Sequence, residues 1–136
     1  MSGLDLDQLR ELAPFGSTLG IELLDVAPDL VRGRLRWTAE RCTAGGIMHG
    51  GALMALADHC GGICAFLNLP EGAQGTATIE SKTNFLRGVS GGAVTATTRP
   101  LHRGRTTLVA ETELPDETGR LAAKVTQTQI FHYPRA

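Results

Sequence analysis

The sequence has little excess charge of either sign and few aromatic side chains. Lys and Arg number 13 against 14 Asp and Glu, a formal net charge of −1, and Phe, Trp and Tyr make up 4% of 136 residues. Proteins that bind nucleic acid usually present a basic surface or a series of stacking aromatic rings. The composition therefore argues against a nucleic-acid partner.

Long hydrophobic runs, paired cysteines and a targeting segment are also lacking. Apolar stretches are interrupted before the roughly 20 residues that a membrane helix needs. The acidic residues 1–7 do not resemble a signal peptide. Cys42, Cys60 and Cys64 form no CxxC pair, and no two histidines have the spacing of a zinc site. We therefore expect a reduced, cytoplasmic protein without a membrane partner or a bound metal.

Turn signals and apolar periodicity predict one domain over residues 1–136, with residues 1–14 as a helical N-terminal extension. Leucine spacing predicts a surface helix over residues 5–13 that Pro14 ends. A long helix, apolar on nearly every face and therefore buried, is predicted over residues 50–66. Strands are predicted over residues 18–26, 30–38, 76–86, 91–101, 105–114 and 120–131. This order indicates an α+β fold with an antiparallel sheet around one long helix.

The long helix begins in the glycine-rich segment Ile47-Met48-His49-Gly50-Gly51. Free backbone N–H groups and the positive end of the helix dipole would point at whatever lies there. Such a helix start can bind an anion or stabilise an oxyanion that develops on a carbonyl group. A glycine-rich turn that serves only tight packing is the alternative interpretation.

Asp58 is the single carboxylate between residues 41 and 70. Burying an unpaired carboxylate costs on the order of several kcal/mol, or neutralises the group by raising its pKa. A carboxylate on a helix that we expect to be buried therefore suggests a general base or a nucleophile. The alternative is a core aspartate whose oxygens accept hydrogen bonds from backbone N–H groups or from His59.

The spacing between His49 and Asp58 has a consequence for assembly. Nine residues correspond to about two and a half helical turns and about 13 Å along the axis. One chain cannot easily bring both residues to one substrate, whereas two antiparallel copies can. We therefore expect a C2 dimer with two shared active sites.

A basic segment covers residues 81–110, which contain no Asp or Glu but include Lys82, Arg87, Arg99, Arg103 and Arg105. A local positive patch on a nearly neutral protein suits a polyphosphate ligand. A solvated face neutralised by carboxylates from elsewhere in the fold is the alternative. The segment His102-Arg103-Gly104-Arg105 lies at a predicted hairpin tip.

Together these motifs resemble the hot-dog-fold acyl-CoA thioesterases, in the branch that contains phenylacetate-pathway (PaaI-like) and 4-hydroxybenzoyl-CoA thioesterases. The matching pieces are His49-Gly50-Gly51 with Leu56-Ala57-Asp58, then Thr83-Asn84-Phe85-Leu86-Arg87, then His102-Arg103-Gly104-Arg105. The order of elements matches as well, so the resemblance covers about residues 15–131.

The resemblance implies hydrolysis of an aryl- or medium-chain acyl-CoA by a homodimer or a dimer of dimers, without a cofactor because CoA is part of the substrate. The Gly50 N–H would polarise the thioester carbonyl, and Asp58 of the partner subunit would act as nucleophile or general base. His49 would shape the turn, and Thr78 would hold water near the carboxylate. Arg87, Arg103 and Arg105 would contact the CoA phosphates. The residues implied to bind the substrate or its CoA part also include Gly51, Asn84, Phe85 and His102.

One position departs from the family pattern. Relatives in this branch often have Asn or Gln six residues before the histidine, where this chain has the shorter Thr43, which we also place among the catalytic candidates. Two other functions stay open: a non-catalytic acyl-CoA-binding or regulatory module, and an acyl-thioester hydratase or dehydratase that would use His49 or His59. Asp58 argues against the passive module, which gains little from a carboxylate beside a thioester.

Overall fold

The structure is a computed structural model and describes residues 5–136. Within residues 5–136 there are three α-helices, two single-turn 3-10 helices and six strands. The helices are α1 (Leu6–Leu12), α2 (Pro14–Leu19) and α3 (Gly50–Leu67), and the 3-10 turns are Ala39–Arg41 and Ala44–Gly46. The strands are β1 (Glu22–Ala27), β2 (Leu30–Arg36), β3 (Gly75–Phe85), β4 (Ala93–Arg103), β5 (Thr107–Pro115) and β6 (Leu121–His132).

The N-terminal segment contains a second helix that the sequence analysis missed. Asp5 caps α1 by accepting a hydrogen bond from the Gln8 N–H at 2.8 Å, as the predicted surface helix requires. Pro14 does not end the helical region but begins α2, where a proline loses no intrahelical hydrogen bond. The helix ends at Leu19, and the following Gly20 has a φ of 82°, in the left-handed region that favours glycine. The strand expected from residue 18 therefore begins only at Glu22.

The six strands form one antiparallel sheet in the order β1-β2-β4-β5-β6-β3. Its inner face packs on α3, so the predicted α+β architecture is confirmed. Buried side chains alternate along β6, which is typical of a strand with one face on the core. Strand β3 pairs only with β6 and is one of the two edges of the sheet.

Helix α3 packs directly against β2. Gly33 allows this approach, because a Cβ at that position would lie 2.8 Å from the Cys60 sulfur. The fully buried Leu56 also contacts this part of the sheet, and the core continues through Leu35, Val94 and Val125. The position of the helix is therefore determined by close packing along one side.

The other side of α3 is open, which contradicts the expectation of a helix buried on nearly every face. Gly51, Met54 and Asp58 are exposed and follow one another at intervals of three and four residues, so they share a face. The helix is also long and apolar enough to cross a membrane by length and composition, with a mean hydropathy of 1.4, which the sequence analysis overlooked. In the structure it packs against the sheet, as the core helix of a globular domain does.

Candidate active site

The start of α3 presents an unused backbone donor. His49 caps the helix with its side chain, since its Nδ1 accepts a hydrogen bond from the Gly51 N–H at 2.8 Å. The backbone N–H of His49 donates to the Arg41 carbonyl at 2.8 Å. Within residues 5–136, the N–H of Gly50 has no hydrogen-bond acceptor. Gly50, rather than Gly51, is therefore the residue that can donate to a ligand from the helix start.

A cavity of about 390 Å³ adjoins this donor. The Phe85 ring lies against Gly50, because a Cβ there would be 3.0 Å from the ring. Thr43 and Arg87, both singled out in the sequence, also line the cavity. The backbone of Thr43 is held by a hydrogen bond from its N–H to the Ile47 carbonyl at 2.8 Å. The remaining lining residues are Ile47, Met48, Leu53, Leu86, Gly88 and Val89.

Asp58 lies on the open face of α3, so the expectation that its carboxylate is buried is wrong for the single chain. It is not unpaired either. The Thr78 hydroxyl donates to Asp58 Oδ1 at 2.7 Å, and the Gln127 Nε2 donates to the same oxygen at 3.2 Å. Oδ2 accepts no hydrogen bond from the described residues. The carboxylate is therefore held through one oxygen, and the other is available to a ligand.

The Asp58 carboxylate opens into a second cavity, of about 450 Å³. Its walls are largely apolar, and they come from α1, from the C-terminal half of α3 and from the start of β3. Thr78 and Gln129 place polar groups beside the carboxylate. The apolar lining includes Leu9, Leu12, Ala13, Ile63, Phe66 and Ala77. Such a cavity can hold an apolar group whose reactive end lies at the carboxylate.

His59 lines the same cavity and is half-buried against α2. Its ring lies so close to Gly16 that a Cβ there would be 2.3 Å from Cε1. Burial lowers the pKa of His59 below its ordinary value of 6.5, although the neighbouring Asp58 carboxylate acts in the opposite direction. The neutral imidazole is therefore favoured near pH 7.

The basic residues do not form one cluster within the chain. Arg87 is beside the helix start, whereas Arg103 and Arg105 flank the β4–β5 turn. The Arg103 guanidinium donates to the Pro28 carbonyl at 3.4 Å, and the Tyr133 hydroxyl donates to the Arg105 carbonyl.

His102 is exposed at the same turn, while Asn84 on β3 accepts a hydrogen bond from Lys82 at 2.8 Å. The predicted CoA-binding residues thus lie in two groups.

Sequence reasoning missed Gln127 and Gln129. Both are buried on the inner face of β6 and reach the Asp58–Thr78 pair. The available signal was the alternation itself, because two amides at positions i and i+2 on a strand share a face with apolar neighbours. A buried amide in such a stripe needs a partner, and here the partners belong to the candidate site.

The cysteines form no disulfide, and within residues 5–136 no three His, Cys, Asp or Glu side chains gather into a metal site. Burial raises the pKa of the Cys60 thiol to about 12 and that of Cys64 to about 11. Both thiols are therefore protonated at neutral pH and belong to the core.

Comparison with known proteins agrees with this geometry. The chain matches the thioesterase superfamily over residues 45–123. The Rv1847 protein of Mycobacterium tuberculosis is 30% identical over 118 residues, which cover 85% of this chain and 84% of that protein. The structure of thioesterase HI1161 from Haemophilus influenzae superposes with a TM-score of 0.88 at 27% identity, covering 97% of this chain and 93% of that one.

A further relative carries the name of a specific activity. The 1,4-dihydroxy-2-naphthoyl-CoA hydrolase of Escherichia coli is 37% identical over 76 residues, or 56% of this chain and 55% of that protein. The family match spans more than half of the 136 residues and includes both Gly50 and Asp58. The chain therefore belongs to the thioesterase superfamily, with the hot-dog fold and the activity of a thioester hydrolase.

Proposed function

We propose that the protein hydrolyses the thioester of an aryl- or medium-chain acyl-CoA to the free acid and CoA. The observation that carries this proposal is the Asp58 carboxylate, which Thr78 holds at 2.7 Å and whose Oδ2 has no donor among the described residues. It lies at the mouth of a largely apolar cavity of about 450 Å³. An acyl group in this cavity has its carbonyl carbon within reach of the carboxylate or of a water held by it.

The chemistry requires an electrophile and a source of oxygen. The Gly50 N–H donates to the thioester oxygen, which stabilises the negative charge as the carbonyl carbon becomes tetrahedral. Asp58 either takes a proton from the attacking water or attacks the carbon itself to form an anhydride that water then cleaves. In both routes the C–S bond breaks, the sulfur leaves as the CoA thiolate and is protonated, and water supplies the second oxygen of the acid.

We propose that each site is shared by two chains. Gly50 and Asp58 adjoin different cavities, whose linings have no residue in common. The open face of α3 lies next to β3, an edge strand of 11 residues whose Ile79 side chain is 59% exposed. A long exposed edge strand readily pairs with another chain. A second copy added across β3 in C2 symmetry covers this region and can bring Gly50 of one chain to Asp58 of the other.

The phosphates of CoA are assigned to the arginines. Arg87 lies beside the helix start, and Arg103 and Arg105 carry exposed guanidinium groups at the β4–β5 turn. In a site shared by two chains, one CoA can reach both groups of arginines, because the ligand then contacts both chains. Gly51, Asn84, Phe85 and His102 complete the proposed contacts to the substrate or its CoA part. The named substrate of the E. coli relative is an aryl-CoA, which supports the aryl alternative.

The experiment measures thiol release from a panel of aromatic and aliphatic acyl-CoAs with wild type and Asp58→Asn. We expect the variant to fold normally and to lose turnover by about 100-fold or more, the usual contribution of a positioned acid–base group. Asp25→Asn is the matched control, since that exposed carboxylate pairs with Arg32 at 2.8 Å on β1 and β2, outside both cavities. Full turnover in Asp58→Asn would refute the mechanism. Binding of acyl-CoA by wild type without hydrolysis of any panel member would instead favour the acyl-CoA-binding module.

A further inference from the structure

Two glutamines lie in the core of β6 where apolar side chains are expected. Gln127 and Gln129 are 0% and 1% exposed, and the neighbouring inner positions hold Val125 and Phe131. Burying an amide group costs free energy unless its donors and acceptor are satisfied. Leucine or methionine would fill these positions without that cost, so the amides call for an explanation beyond packing.

The only side-chain hydrogen bond of Gln127 among the described residues is the one to Asp58. Its Nε2 lies 3.2 Å from Asp58 Oδ1, while its Oε1 is buried without a partner. The amide reaches this position across Gly61 of α3, where a Cβ would lie 2.3 Å from the Gln127 Cδ. A glycine inside a helix costs about 1 kcal/mol relative to alanine. Two unfavourable features are thus present here, a buried Gln127 Oε1 without a hydrogen bond and a glycine inside a helix. Together they allow the Gln127 N–H to reach Asp58.

Gln129 acts on the same carboxylate through Thr78. Its Nε2 donates to the Thr78 oxygen at 2.5 Å, and its Oε1 lies 3.1 Å from the Thr76 hydroxyl, whose proton it shares with the Ile130 carbonyl at 3.0 Å. A hydroxyl group has a single proton to donate. Because the Thr78 oxygen already accepts from Gln129, its own proton is directed to Asp58 Oδ1, 2.7 Å away.

The hydrogen bond from Gln127 and the series from Gln129 through Thr78 therefore both end on Asp58 Oδ1. We propose that Gln127 and Gln129 are positioning residues that hold Asp58 through Oδ1 and reserve Oδ2 for the reacting water or carbonyl carbon. This inference rests on the proposed function of Asp58. It extends that function to two buried residues of β6, of which Gln129 lines the cavity beside Asp58 and Gln127 does not.

The test compares kcat and KM of wild type with those of Gln127→Met and Gln129→Met, variants that keep the side-chain length but remove the amide. We expect kcat to fall about tenfold or more in each, because a reacting group that loses its supporting hydrogen bonds is held less precisely, with KM little changed. Thr112→Val is the matched control, since it removes the buried hydrogen bond to Thr98 (2.7 Å) outside both cavities. It should lower the melting temperature and leave kcat unchanged.

A double variant separates positioning from direct catalysis. In an Asp58→Asn background, Gln127→Met should cause no further loss of turnover, because an effect exerted through Asp58 disappears with it. Gly61→Ala, which displaces the Gln127 amide without changing its chemistry, should reproduce the kcat loss. It also serves as the test if Gln127→Met fails to fold.

Unchanged kcat in the glutamine variants, a rise in KM that accounts for the whole effect, or an additive loss in the double variant would overturn the inference. These outcomes differ from failure of the proposed function, in which wild type releases no thiol or Asp58→Asn remains fully active.

Discussion

Gly50 and Asp58 lie on the same helix but adjoin different cavities. Eight residues separate them, which corresponds to about 12 Å along the helix axis. Thr43, Phe85 and Arg87 surround the first, whereas Leu12, Phe66 and Thr78 surround the second. The proposed donor for the carbonyl oxygen and the proposed attacking carboxylate therefore lie apart, and in the proposed dimer each supplies half of a site.

The role of the Gly50 N–H can be tested by two substitutions, of which only one removes that group. Gly50→Pro removes the donor at the first helical position, where proline is tolerated, and the extended ψ of 132° at His49 suits a following proline. Gly50→Ala adds a Cβ near Phe85 but retains the N–H. We expect kcat to fall by about 100-fold or more with proline and much less with alanine. Equal losses would point to the crowding of Phe85 and not to the lost donor.

Sharing of the site predicts complementation between two impaired variants. Asp58→Asn and Gly50→Pro homodimers are each expected to be nearly inactive, because every site lacks one partner. After unfolding and refolding together, half of the dimers are mixed and one of their two sites is intact. Activity should recover to about a quarter of wild type. No recovery in a mixture that light scattering shows to be dimeric would contradict a shared site.

The arginines at the β4–β5 turn predict a substrate-dependent loss of affinity. Arg103→Ala or Arg105→Ala should raise KM for CoA thioesters by about threefold to tenfold, since each removes a charge-assisted contact to phosphate. A short thioester without the nucleotide should show little change, and added salt should reduce the difference. Arg32→Ala on the β1–β2 side of the sheet is the control. The same KM change with both substrates would exclude phosphate binding by these residues.

Burial of His59 predicts a pH dependence of stability. Its pKa lies below 6.5 in the folded chain because of burial, so the unfolded chain binds this proton more tightly. The contribution of the neutral His59 to the stability of the folded chain is fully present above about pH 6.5 and is lost as the pH falls below that value. Chemical denaturation between pH 8 and pH 5 should show that the free energy of unfolding of wild type declines as the pH falls. The decline should be weaker in His59→Gln. Identical slopes would argue that the histidine is solvated.

The cysteines should differ in reactivity towards a maleimide. Cys60 and Cys64 are fully buried, and burial raises their pKa to about 12 and about 11, so little thiolate forms at neutral pH. Cys42 is partly exposed. Mass spectrometry should detect one modified thiol in the native protein and three in denaturant. Rapid labelling of a second thiol would show that α3 separates from β2.

The elements that the sequence predicted well have strong local signals. The helix expected over residues 50–66 is Gly50–Leu67, and the last four strands begin and end within about two residues of expectation, as is usual at element ends. Glycine and proline turns separate these segments, and their periodicity is clear. That α2 was not predicted has an equally local cause, since a proline that follows one helix can begin the next.

The chemistry of the site was predictable only where one residue type stood out. Asp58 was conspicuous as a lone carboxylate, and the family resemblance drew attention to His49, Gly50 and Thr78. The contact of Thr78 with Asp58 joins β3 to α3 across 20 residues, and that of Gln127 joins β6 to the same helix across 69. No local pattern encodes such distances, because they follow from how the sheet closes around the helix.

The sequence by itself determined the order of the six strands and the central helix, the length of that helix and the family, since periodicity, turn residues and motifs are local properties of the chain. The separation of the helix start from Asp58 also followed from their spacing along the helix. Only the tertiary structure decided that α3 has an open face and that Asp58 is held through a single oxygen. Each of these depends on which strands flank the helix and at what register, and register is set by packing between residues far apart in the chain.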